Sequence, residues 1–324
     1  MTTFKEIRGT AVQSVSSDPS NPEGGQIWYN NSIGVLKGYA LVAAAWASGG
    51  NLATARELLG GAGTQTVGLA FSGFTTVNTN VTEEYNGTSW TGGGNMGTGL
   101  RFLAGCGTQT SALAFGGFSP PTTTNLTEEY DGSAWTGGGN LGTGRYGLAG
   151  AGTQTSALGF GGALIVGNVL QSATEEYDGS TWAGGGNMGT ARKVLAGAGT
   201  QTAGLGFGGG TTVPVANTEE YDGSAWTAGG NLNTARRYLG GCGTQTAALA
   251  MTGFTTVVVA NTEEYDGTSW TNTTNVATAR GAPGGAGTQT AGLVFGGNTT
   301  TQVANTEEYS PAFLATKTIT TSTS

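Results

Sequence analysis

The stretch ARRYLGGCGTQTAALAMTGFTTVVVANTEEYDGTSW, Ala235–Trp270, decides the fold, because the chain restates it with small edits in six copies. GTQT begins at Gly63, Gly107, Gly152, Gly199, Gly243 and Gly287, and TEEY ends at Tyr85, Tyr130, Tyr177, Tyr221, Tyr265 and Tyr309. Successive GTQT copies are therefore 44, 45, 47, 44 and 44 residues apart. Turn residues cut each copy into four short runs, here RRYLGGCG, AALAMTG, NTEEYDG and SWTNTTN. These runs lack the apolar spacing at three and four that a helix needs, and Thr, Val, Tyr, Phe and Trp dominate between the glycines. Four strands per copy at a period in the forties, with glycines, then Tyr, then Trp, predict the blade of a propeller.

Asp131-Gly132, Asp178-Gly179, Asp222-Gly223 and Asp266-Gly267 stand between the Tyr and Trp runs, with Asn86-Gly87 in the first copy. Either pair predicts a two-residue type I′ hairpin. The exchange of Asp for Asn argues for a turn former rather than a catalytic or calcium-binding carboxylate. The sixth copy has Ser310-Pro311 at this place, and proline fixes φ and offers no N–H. Its missing Trp run lies at the other end of the chain, where Trp46 opens WASGGNLATAR in register with WTAGGNLNTAR from Trp226. An early strand is thus expected to close the ring beside Thr306–Tyr309, removing the open edges that invite aggregation.

The arrangement resembles the kelch-repeat β-propellers over residues 39–310. The resemblance rests on the glycine pairs Gly116-Gly117, Gly161-Gly162, Gly208-Gly209 and Gly296-Gly297, and on the Tyr and Trp series. Copies one and five depart from it with Ser72-Gly73 and Thr252-Gly253. It implies an all-β, six-bladed propeller of four-stranded kelch-like blades, closed by an N-terminal strand and preceded by an extended leader. That family holds enzymes, adaptors and surface proteins, so the fold alone names no activity.

The net charge of −8 comes largely from the repeat. Six Glu pairs, Glu83-Glu84 through Glu307-Glu308, face one arginine per copy: Arg56, Arg101, Arg145, Arg192, Arg236 and Arg280. A nucleic-acid partner needs a basic patch to release counterions from phosphate, and the sequence offers none. Adjacent strand residues point to opposite faces, so one Glu of each pair is expected to meet the arginine as a structural pair. The rival reading is a carboxylate ring holding a metal on the axis; repetition in every blade argues for structure, and no metal or cofactor is expected. Cys106 and Cys242 replace an alanine in copies two and five. Blades two and five stand opposite one another, beyond the reach of a disulfide of about 7 Å between Cα atoms, and two packed thiols are expected.

Histidine is absent, which removes the usual general base, the Ser-His-Asp and Cys-His arrangements and imidazole metal ligands. A sialidase-type route through Tyr, Glu and several arginines needs those arginines to converge, whereas one per blade in fixed register does not. A non-enzyme is therefore expected. Trp46, Trp90, Trp135, Trp182, Trp226 and Trp270 read as a packing layer between blades rather than a sugar-stacking set.

Length changes gather in the loop between the second and third strands. Loops on a rigid scaffold carry function, which makes Phe74, Phe118, Leu164, Ile165, Val166, Val213, Phe254 and Asn298 candidate binding residues. The Leu164-Ile165-Val166 run in particular suggests a protein contact; the alternative is a loop covering its own blade. Residues 16–25 read as a turn-rich linker, and Gln26–Tyr39 as a hairpin turning near Asn30-Asn31. The phrase GQIWYNNSIGVLKGY, Gly25–Tyr39, resembles segments of virion and tail-fibre proteins of tailed marine phages. It implies a particle-anchored protein. Neither a signal peptide nor a membrane-spanning run is recognisable. The expected organisation is an anchoring leader over 1–38, a propeller over 39–310 and a Ser/Thr-rich tail over 311–324. The expected function is virion display, with a host surface glycan or a neighbouring virion protein as partner. Its rivals are a purely structural decoration protein and a sialidase-like or polysaccharide hydrolase.

Overall fold

A computed structural model describes residues 12–320. The chain divides into two compact units, Trp46–Ser310 and a second made of the residues up to Ala45 together with those from Pro311 onward.

The larger unit is a closed β-propeller of six four-stranded antiparallel sheets. Blade five is representative: Gly240–Gly243, Ala248–Met251, Thr262–Tyr265 and Trp270–Asn272 pair in sequence order. The first strands of the six blades pack on one another around the axis. They approach so closely that a Cβ on Gly61 would lie 2.7 Å from the Gly285 carbonyl oxygen. The requirement for glycine comes from that contact, and the second strand behind it, Gly68–Phe71, is wholly buried. Between Tyr130 and Trp135, which pair directly, four residues intervene. The turn is therefore not the expected two-residue hairpin. Only Gly132 has positive φ, and Asp131 Oδ1 accepts the Ser133 and Ala134 N–H groups at 2.8 Å each. Asp acts by local side-chain capping of the turn.

Three interactions repeat between neighbouring blades. Each TEEY tyrosine hydroxyl donates to the second Glu of the preceding blade: Tyr85 to Glu308, Tyr130 to Glu84, Tyr177 to Glu129, Tyr221 to Glu176, Tyr265 to Glu220 and Tyr309 to Glu264. Each GTQT glutamine donates to two carbonyls of the preceding blade, as Gln109 does to Gly68 and Tyr85. Trp90, Trp135, Trp182, Trp226 and Trp270 each lie 4.7–5.0 Å from a phenylalanine of the preceding blade and donate their indole N–H to its TEEY threonine.

The sixth blade takes its outer strand, Ala45–Ser48, from the start of the chain, beside Thr306–Ser310. Trp46 stacks 5.1 Å from Tyr309, but its N–H donates to the Thr274 carbonyl rather than to Thr262. The Thr262 hydroxyl is left buried without a partner. This seam lacks the tryptophan–threonine bond that the other five have. Removal of residues 1–45 is expected to leave the ring folded, and removal of 1–50 to open it, with loss of cooperative unfolding and aggregation through the bared edge. Equal melting curves for the two truncations would refute closure by this strand.

In the smaller unit Ile27–Asn30 and Val35–Val42 form a hairpin, with Gln13–Val15 parallel to its first strand and Phe313–Thr318 antiparallel to its second. The C-terminal segment thus supplies an edge strand. Asp18 fastens the linker to this sheet by accepting from Lys37, Asn30 and Trp28, which lowers its pKa to about 2. Among the described residues no helix is long and apolar enough to cross a membrane.

Candidate functional site

The repeated scaffold ends, and variety among copies begins, where each copy passes from its last strand to the innermost strand of the next sheet. Arg56, Arg145, Arg192, Arg236 and Arg280 are fully buried there. Each forms an ion pair within its own blade, with Glu83, Glu175, Glu219, Glu263 and Glu307 respectively. The carboxylates are further held by backbone N–H groups, as Glu263 is by Asn233 at 2.6 Å. Glu of the TEEY pair thus splits its duty: the first meets arginine, the second the tyrosine of the next blade.

Arg101 does not belong to this series. Leu100 occupies the buried place in blade two, and Glu128 there accepts the Gly97 and Thr98 N–H groups at 2.7 and 3.2 Å without an arginine. The slip was legible: five arginines stand seven residues before the glycine of their GTQT and Arg101 stands six. It falls instead on the next position, shared with Glu57, Tyr146, Lys193, Arg237 and Gly281. Each of these makes a backbone bridge to the start of the loop after the second strand, at Phe74, Phe118, Ala163, Gly210, Phe254 and Asn298.

One residue further come Leu58, Phe102, Gly147, Val194, Tyr238 and Ala282, no two alike. All six have left-handed φ, from 50° at Val194 to 64° at Gly147. Their backbones form a closed circle of hydrogen bonds. The Leu58 N–H donates to the Ala282 carbonyl at 2.9 Å, Ala282 to Tyr238 at 2.8, Tyr238 to Val194 at 2.9, Val194 to Gly147 at 2.6, Gly147 to Phe102 at 2.8 and Phe102 to Leu58 at 3.0. Behind it a collar of Leu59, Leu103, Leu148, Leu195, Leu239 and Pro283 narrows the axis before the glycine-walled channel begins. No carboxylate lines these axial spaces. Among the described residues no three of His, Cys, Asp and Glu gather as around a metal ion.

Over this circle lies a cavity of about 240 Å³ walled by Glu57, Phe102, Tyr238, Phe254 and Asn298, among others. Burial pushes the Glu57 carboxyl above its ordinary pKa, opposed by the Gln302 amide that donates to it at 3.0 Å and by the charge of Arg101. Burial likewise raises the Tyr238 hydroxyl, against the charge of Arg237. The Phe102 ring stands 5.4 Å from Tyr146 and 6.2 Å from Tyr238. The Lys193 ammonium donates to Tyr146 and Asn168 at 2.6 Å each.

Of the loop residues expected from the sequence, Phe254 and Asn298 wall this cavity, and Phe74 and Phe118 flank Arg101. Leu164, Ile165 and Val166 lead into a short 3-10 turn, Val166–Asn168, with Ile165 and Val166 exposed, and Val213 is an exposed loop tip. The sequence reading missed the pair of positions after the buried arginine. Their signal was available, since they differ from copy to copy inside an otherwise repeated segment. Cys106 and Cys242 are free and buried, and burial pushes their thiols up to about 12.

No protein-family profile matches the sequence, and neither does any curated protein. Among solved structures the chain is similar to YjhT, with a TM-score of 0.68 and 10% identity over 82% of this chain and 99% of that one. The likeness carries the propeller fold. It also withdraws the expectation of a non-enzyme, because the propeller fold shared with YjhT is open to enzymes, while identity this low assigns neither an activity nor a catalytic residue. That expectation leaned on arginines confined to one buried register, and Arg101 and Arg237 stand outside it.

Proposed function

We propose that the axial face with its six unlike side chains is the working surface of a kelch-type propeller displayed on a phage particle, and that it engages a host surface glycan. One observation carries the choice of face. Left-handed backbone costs a non-glycine residue about 1–2 kcal/mol, and glycine meets the need at Gly147, yet five blades display Leu58, Phe102, Val194, Tyr238 and Ala282 in that conformation. Strain of this kind gathers at functional sites. Half-buried aromatic rings beside amides and a carboxyl are the chemistry that receives the apolar face and hydroxyl edge of a sugar. The phage setting rests on the leader phrase Gly25–Tyr39, and attachment to the particle is assigned to the unit containing it.

Tyr238→Gly and Phe102→Gly should leave the melting temperature within a few degrees of the parent while weakening labelling of host cells about tenfold each, an effect worth about 1.4 kcal/mol. Unchanged labelling by both variants would move the site elsewhere. Particles should sediment with the full chain and not with residues 46–310; co-sedimentation of both would sink the anchoring role.

A second reading is hydrolysis of the bound glycan, favoured by Glu57, whose raised pKa suits a general acid. Glycosidases ordinarily use two carboxyl groups, with a tyrosine nucleophile in sialidases, and Tyr238 shares the cavity with Glu57. Glu57→Gln should then abolish release of reducing sugar and leave binding intact. Turnover that survives the substitution excludes Glu57 as the acid.

A further inference from the structure

We infer that the ligand is an acidic polysaccharide, its carboxylate or sulfate groups received by Arg101, Arg237 and Lys193; the inference rests on the axial face being the recognition surface. The charge inventory leads there. Of the 12 lysines and arginines, five are the buried paired arginines and four, Lys5, Arg8, Lys37 and Lys317, lie outside Trp46–Ser310. The three that remain all stand at the same place, beside the axial circle in blades two, four and five. Glu57 is the acid at that place, and the loops after the second strands contain no acidic residue. The turn aspartates belong to the opposite end of the blades, where Gly132 beside Asp131 packs on Thr110 of the GTQT turn. A chain of net charge −8 therefore presents a cationic face, and such a face concentrates anionic ligands.

The two arginines are built for an anion rather than spent on a protein partner. The Arg101 guanidinium lies 4.5 Å from the Phe74 ring centre and 5.0 Å from that of Phe118, and Arg237 lies 5.4 Å from Phe254 and 5.5 Å from Tyr238. Their Nε atoms are buried without a hydrogen-bond partner, and among the described residues neither forms a salt bridge. A guanidinium stacked on aromatic rings is oriented before the ligand arrives, with its fork of donors matched to a planar carboxylate or a sulfate. Arg101 and Arg237 occupy equivalent places in blades two and five, across the ring from each other. A chain of charged sugars lying over the axis would meet each in turn, with Phe102 and Tyr238 beneath it.

The test uses the full chain against immobilised polygalacturonate, dextran sulfate, neutral dextran and polyglutamate, at 50 and 300 mM salt. Binding to polygalacturonate or dextran sulfate but not to neutral dextran is expected, weakening at least tenfold at the higher salt. Arg101→Gln with Arg237→Gln should cost a further tenfold or more, each single variant less, with thermal melts recorded to establish that all remain folded. Arg237→Lys should recover part of the loss, because it keeps charge without the fork. Equal binding of neutral dextran, or a double variant that binds like the parent, overturns the acidic class. If in that case Tyr238→Gly still abolishes binding, recognition at the face survives. Equal binding of polyglutamate replaces the sugar by an acidic peptide, and no binding to any acidic polymer overturns the inference.

Discussion

Between pH 10 and about 12 the propeller is expected to unfold cooperatively. The cause is the circle of tyrosine hydroxyls donated to Glu84, Glu129, Glu176, Glu220, Glu264 and Glu308. Burial first, and then the carboxylate each one bonds, pushes Tyr85, Tyr130, Tyr177 and Tyr221 up to about 12, with Tyr265 and Tyr309 also raised. Below pH 10 the hydroxyls are protonated in folded and unfolded chains alike, and the stabilisation is fully present. Above it the unfolded chain gives up protons that the folded one keeps, so stability falls by about 1.4 kcal/mol per pH unit for each tyrosine. Six acting together exhaust a typical total of about 5–15 kcal/mol within roughly two units. The tyrosinate absorbance near 295 nm of these six, out of ten tyrosines in the chain, should therefore appear together with the loss of far-ultraviolet circular dichroism. Ionisation of more than the four tyrosines outside TEEY with the β signal intact would show that the hydroxyls are not clasped.

Arg236→Leu is expected to cost about 3–5 kcal/mol in chemical denaturation, because it strands a buried carboxylate. Glu263 has 0% exposure, and its remaining partners are the Asn233 and Thr234 N–H groups. Adding Glu263→Gln should recover a large part of the loss, since the neutral amide carries no comparable desolvation penalty. Blade two shows the arrangement the chain itself tolerates, with leucine at position 100 and Glu128 keeping 8% exposure and two backbone donors. A variant as stable as the parent would mean that the buried pairs serve register rather than stability.

The repeat announced the blades because each strand needs its own turn residues, and turns tolerate few substitutes. Closure by Trp46 was legible for the same reason: Pro311 forbids the last hairpin, and the missing run had to come from elsewhere. The turn type was misjudged because Asp-Gly suits several loops, and the choice depends on which residues pair across it, here Tyr130 with Trp135. The Arg101 slip arose from matching residue type ahead of register. The axial cavity was half seen. Loop-length variation pointed to the end of the blades where it lies, at Phe254 and Asn298, but Leu58, Phe102, Val194, Tyr238 and Ala282 escaped notice because no residue preference marks a position whose role in the fold is carried by the main chain.

That circle of main-chain hydrogen bonds has a consequence for how such a molecule changes over generations. The ring is fastened at its axis by amide and carbonyl groups, which every residue except proline supplies in full. Side chains around the opening are thereby free of hydrogen-bonding duty to the scaffold, and on the proposed recognition role each could be exchanged singly for a new ligand. The propeller would then be a socket with six replaceable contacts, and selection on what it touches need not renegotiate how it folds.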